Sequence, residues 1–270
     1  MANPVLSEKR FTTTADAFAP GWAAPTRTGT ATQIPPEVPP TAPPVTRTMG
    51  VNGTFAKTFF LWLLLLVGGA FGWSRVTEDP VGDLSIPGWI WVAVFVALGF
   101  ALVCIFAPKL APFAAPAYAI TEGVFLGALS RVYEAQWSGI VLQAVLATLA
   151  VFVVCLVLYM SGAVKVTNKF IFVVIGATAG IFLLYFATFL LSIFGVDITF
   201  WNEPTPIGIG ISVVICFVAA LNLFLDFEFI RRMVVAGAPK PMEWYGAFGI
   251  TVTIVWLYIE VLRLLSLLRR

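Results

Sequence analysis

The main ionisable side chains inside the long apolar runs of this sequence are Glu122, Asp226, Glu260 and Arg263. Where such a run crosses a bilayer, a charge at its centre costs about 2.5–3.5 kcal/mol on the gentlest scale, so each is a candidate for function. The three acids share one chemistry. Burial disfavours the charged form of a carboxyl, and a second carboxyl nearby makes ionisation harder still. Two acids holding one proton would be neutral enough to close a water path. Deprotonated, Asp226 and Glu260 would repel each other and offer hard oxygen ligands for a transient calcium ion. That arrangement is a proton-controlled gate, and the same carboxylates would equally suit a proton-coupled transporter.

Each residue also has a plainer reading. Arg263 falls near the expected outer end of the last run, where its side chain can snorkel to headgroups. It follows Glu260 by three residues, one helical turn, so the two can neutralise one another. Glu122, in "ITEGVFLGALSRVYE", adjoins Gly123, where a neighbouring backbone can come close; a structural acid and a functional one fit equally. Asp226, in "AALNLFLDFEFIRR", falls near the inner end of the sixth run, where a solvated helix-end carboxylate is the plain reading. Against that stands Asn222, one turn earlier, because a polar stripe at i, i+4 should face other helices rather than lipid.

These side chains need spans to hold them, and the composition supplies spans. Of 270 residues, 60% are hydrophobic and only 11% charged, against roughly 45–50% and about 25% in soluble domains. A bilayer core about 30 Å thick requires roughly 20 apolar residues per helix. Seven segments qualify: 56–73, 88–107, 111–130, 138–160, 170–194, 206–227 and 244–266. The fold class is therefore all-α and integral to the membrane, over residues 55–270. Residues 1–54 differ: nine of the eighteen prolines precede Val45, and "QIPPEVPPTAPPVTRT" cannot bury a core, so this stretch reads as a disordered Pro/Thr-rich tail. No cleavable signal peptide is expected, since the first apolar run begins near Phe59.

Charge placement orients the spans. With the tail inside, the inner segments receive Lys9, Arg10, Arg27, Arg47, Lys57, Lys109, Lys165, Lys169, Arg231, Arg232 and Lys240, whereas the outer loops hold Arg75 and Arg131. The positive-inside rule then puts the N-terminus in the cytoplasm and the C-terminus outside, although Arg263, Arg269 and Arg270 vote the other way. Trp89, Trp91, Trp137, Trp201 and Trp244 suit interfacial anchors. The pairs Gly68/Gly72, Gly123/Gly127 and Gly176/Gly180 would allow close helix contact. Cys104, Cys155 and Cys216 lie in apolar runs without paired spacing and read as small hydrophobes.

The segments "ALNLFLDFEFI" and "EWYGAFGITVTIVWLYIEVLRLLSLLRR", with "EGVFLGALS" in the third span, resemble the Bax-inhibitor family of transmembrane proteins, in its bacterial branch. The resemblance implies seven helices with the last, most hydrophobic one packed centrally. It implies a pH-sensitive calcium leak governed by paired acids on spans six and seven, here Asp226 and Glu260, with glutamate where the pattern has aspartate. Lys109 falls where relatives carry a basic residue. A bacterial plasma membrane is the location it suggests. On simple antiparallel helices the two acids would stand some 15 Å apart along the membrane normal, since about 1.5 Å per residue separates their depths. Tilt, or a break at the glycines of "WYGAFG", would shrink that gap; otherwise Glu122 or Arg263 would partner Glu260.

Three functions remain open: a proton-gated cation leak with calcium as the permeating ion, a non-channel regulator that binds a membrane protease or stress-response partner, and a proton-coupled small-solute transporter. An enzyme is not expected. The absence of histidine excludes Ser-His-Asp triads and His-based metal sites. The last span lacks the lysine a retinal Schiff base needs. No resident cofactor and no nucleic-acid partner are expected, because the basic residues are spread over loops; the partner in every reading is the lipid bilayer.

Overall fold

The computed structural model describes residues 48–78, 84–195 and 203–270. Residues 1–47 of the expected tail lie outside these, as do Asp197 and Trp201. Among the described residues seven long helices follow in order: α1 Val51–Arg75, α2 Trp89–Phe106, α3 Ala111–Gln136, α4 Ile140–Met160, α5 Asn168–Ile193, α6 Pro206–Val235 and α7 Met242–Arg269. A 3-10 turn, Pro108–Leu110, leads into α3. The pair β1 Thr77–Glu78 and β2 Leu84–Ser85 forms a short antiparallel ladder between α1 and α2. All seven helices are long and apolar enough to cross a membrane. A helix is the form in which one segment bonds its own backbone throughout hydrocarbon, and the chain is an integral membrane protein.

The helix ends are written in the sequence. Thr205 caps α6 by accepting from the Gly208 amide at 3.1 Å, with Pro206 at the first helical position, where its missing N–H is harmless. The carboxylate of Glu134 accepts from the amides of Gly139 (2.6 Å) and Val141 (3.1 Å), closing the start of α4. At the far end of α6, Gly237 takes φ +66°, and the Ala238 amide bonds back to the Met233 carbonyl at 3.0 Å. That is a Schellman stop, for which glycine carries no Cβ penalty.

Helix α7 is the centre. Of its most apolar 18-residue stretch 61% is buried, against 6% for α5. It is not the most hydrophobic helix, however: its most apolar 18-residue stretch is less apolar than that of α4. The other deeply buried helix, α3, has the least apolar such stretch of the seven. Lipid selects apolar side chains on the helices it wets, while helices surrounded by protein can carry the small and polar residues that bond neighbours. Burial and hydropathy therefore part company here.

Glycines set the tightest seam. A Cβ on Gly72 would lie 1.9 Å from the Val124 carbonyl oxygen, and one on Gly127 1.9 Å from that of Gly69. Gly68 and Gly123 are equally closed, so both expected pairs weld α1 to α3. The third pair behaves otherwise: Gly176 and Gly180 face open space. The glycines of "WYGAFG" do not break α7. Gly246 lets Ile230 and Thr54 approach, and a Cβ on Gly249 would stand 3.3 Å from an oxygen of Asp226. Cys104, Cys155 and Cys216 are free thiols.

Candidate functional site

Two acid clusters lie along α7. In the first, Glu260 is buried, 3% exposed, and Arg263 Nη2 stands 3.1 Å from its Oε2. Tyr185, on α5, donates to Glu260 Oε1 at 2.6 Å and accepts from Arg263 Nη1 at 2.6 Å. Trp256 Nε1 donates to the same Oε1 at 3.3 Å. Arg263 therefore does not snorkel: it is 8% exposed and held between a carboxylate and a phenol. The spacing that makes this possible is three residues on a helix, which stacks Glu260 and Arg263 on one face.

In the second cluster, Thr253 Oγ1 donates to Asp226 Oδ2 at 2.6 Å, joining α7 to α6. One turn away, Asn222 Nδ2 donates to Thr178 Oγ1 on α5 at 2.8 Å. The polar stripe of Asn222 and Asp226 thus faces neighbouring helices, as its spacing requires. Asp226 does not end the helix: α6 continues to Val235, nine residues beyond it.

The two clusters are neighbours but not a touching pair. Thr253 precedes Glu260 by seven residues, two turns on nearly the same face, which is about 10 Å along an unbroken helix. Among the described residues Asp226 and Glu260 share no hydrogen bond, and the charged partner of Glu260 is Arg263 rather than Glu122. Glu122 sits half-buried on α3, beside the α1–α3 seam. Lys109 is exposed on the 3-10 turn before α3.

Sequence reasoning missed three partners. Tyr185 and Thr253 carried a signal, because a hydroxyl deep in an apolar run needs a bonding partner. Glu228 was hidden beside Arg231 and Arg232 as an ordinary helix-end charge. It is 5% exposed and accepts from Arg231 Nη2 (2.8 Å), Arg232 Nε (2.7 Å) and Tyr159 Oη (2.8 Å). A fourth feature ties the chain entry to the bundle: buried Glu243 pairs with Lys57 and accepts from the Gly50 amide at 2.9 Å. Nearby, the Met49 amide bonds the Ala238 carbonyl at 2.7 Å.

A family model described as Bax inhibitor 1 like matches residues 3–270. The chain belongs to that family. No curated protein matches it. Asp226 on α6 and Glu260 on α7 each have a hydroxyl partner, Thr253 and Tyr185 respectively, and Glu260 has the Arg263 guanidinium as well.

Proposed function

We propose that this Bax inhibitor 1-like protein is a proton-controlled cation leak, with calcium as the permeating ion, in which Asp226 and Glu260 act as two controls in series. The observation that carries the reading is the Glu260–Arg263–Tyr185 cluster on the central helix. When Glu260 is ionised, Arg263 is balanced and the cluster is neutral. Protonating Glu260 leaves the guanidinium uncompensated, and a buried positive charge repels a cation. Protonating Asp226 removes an anionic oxygen from the same face of the helix pair. Both changes act in one direction: low pH opposes passage and rising pH favours it.

The orientation proposed with this function is tail inside, in a bacterial plasma membrane. It rests on the inner excess of Lys57, Lys109, Lys165, Lys169, Arg231, Arg232 and Lys240 over Arg75 and Arg131. Purified protein in dye-loaded liposomes tests the leak directly. The reading expects calcium entry above that of empty liposomes, increasing from pH 5 to pH 8. Entry equal to empty liposomes at every pH would overturn it.

A further inference from the structure

The face of the bundle where α1 begins and α4 and α6 end carries an open groove of about 430 Å³. Val51, Phe55, Leu156, Phe227 and Ile230 line its length, and Arg231 stands at its mouth. The floor is aromatic: the Phe55 and Phe227 rings lie 6.4 Å apart, and those of Tyr159 and Phe227 5.6 Å. All of these residues belong to one end of the helix bundle. Val51 opens α1, Met160 closes α4, and Arg231 is four residues from the end of α6. The groove therefore lies at the depth where headgroups meet acyl chains.

Its charge is not neutral. Glu228 is buried and holds both Arg231 and Arg232, so two guanidinium groups answer one carboxylate. The carboxylate is turned inward at 7% side-chain exposure, whereas the arginine side chains are 60% and 51% exposed. The surplus positive charge thus faces outward at the mouth of an apolar slot. An apolar slot capped by exposed guanidinium matches a molecule with an acyl chain and a phosphate, and guanidinium suits phosphate in particular.

We infer that this groove is a binding site for one anionic phospholipid, with an acyl chain along Phe55, Leu156 and Phe227 and its phosphate at Arg231. Glu228 is a positioning residue: it fixes the two arginines and moderates their charge. The site is separate from the Asp226 and Glu260 clusters and does not depend on the leak.

The test is equilibrium binding of dioctanoyl phosphatidylglycerol to the full chain in neutral detergent, beside dioctanoyl phosphatidylcholine and inorganic phosphate. Saturable binding of phosphatidylglycerol in preference to phosphatidylcholine is expected. Arg231→Gln, which keeps the Glu228–Arg232 pair, should weaken it about fivefold, because one basic residue near anionic lipid contributes about 1 kcal/mol. Lys169→Gln, an exposed cation outside the groove, should leave it unchanged. Leu156→Trp, which fills the slot, should abolish binding while the melting temperature is retained. Equal affinity for the two lipids, or an unchanged affinity in Arg231→Gln, would overturn the assignment. So would inorganic phosphate binding as tightly as the lipid, with Leu156→Trp having no effect, since the site would then recognise free phosphate.

Discussion

Arg263 Nη2 lies 3.1 Å from Glu260 Oε2, one turn along the central helix, with both side chains at least nine-tenths enclosed. Neither group could be placed there alone, because a desolvated ion needs its partner. The pair also explains how an acid can occupy the middle of the bundle without another acid against it.

Removing one partner should therefore be worse than removing both. Arg263→Gln strands the Glu260 carboxylate and should cost about 3–5 kcal/mol, the usual loss when half of a buried pair is deleted. The double variant Glu260→Gln with Arg263→Gln should recover much of that loss. Thermal unfolding of the four proteins in one detergent measures the coupling.

The glycine seam predicts a contrast. Gly127→Ala puts a methyl 1.9 Å from the Gly69 carbonyl oxygen and must push α1 from α3. Overpacking of this kind typically costs about 1–3 kcal/mol. Gly180→Ala faces open space inside a helix and should leave stability unchanged or raise it by up to about 1 kcal/mol. Melting temperatures of the two variants separate these expectations.

At the chain entry, Glu243→Gln should loosen the contact of the first helix with the α6–α7 turn. Glu243 accepts from Gly50 and pairs with Lys57, and the amide would keep the first bond and lose the ion pair. Hydrogen exchange should speed up at Met49 and Gly50, while the amides of α3 stay protected. Unchanged exchange at those two residues would contradict the role given to Glu243.

Thr253→Val tests the second control. The Thr253 hydroxyl donates to Asp226 Oδ2 at 2.6 Å and ties α7 to that carboxylate. Without that donor the carboxylate loses its link to α7, and the pH profile of calcium flux should change. An unmoved profile would mean that Asp226 does not control the flux.

The sequence carried the spans themselves, because hydropathy and length decide whether a helix can cross a bilayer. It also carried the Glu260–Arg263 pair, since a spacing of three on a helix is local geometry. What it could not carry is which helix supplies a third partner. Tyr185 lies 75 residues from Glu260, and only tertiary packing brings it within 2.6 Å. The identity of the central helix was legible by resemblance but not by hydropathy, since α7 is less apolar than α4. The glycine pairs illustrate the same limit: three share one spacing, and only two meet a helix. The end of α6 is not legible because Glu228, Arg231 and Arg232 look like a polar exit, whereas Glu228 is buried and paired with both arginines inside a continuing helix.

The central claim is that Asp226 and Glu260 set the pH response of a cation leak, and one measurement addresses it most directly. Calcium flux into dye-loaded liposomes is followed from pH 5 to pH 8 for wild type, Glu260→Gln and Asp226→Asn at equal reconstitution. The account predicts a wild-type flux that rises with pH and a profile that flattens in each variant, with Glu260→Gln held low because Arg263 stays uncompensated at every pH. A wild-type profile retained by both variants would contradict it.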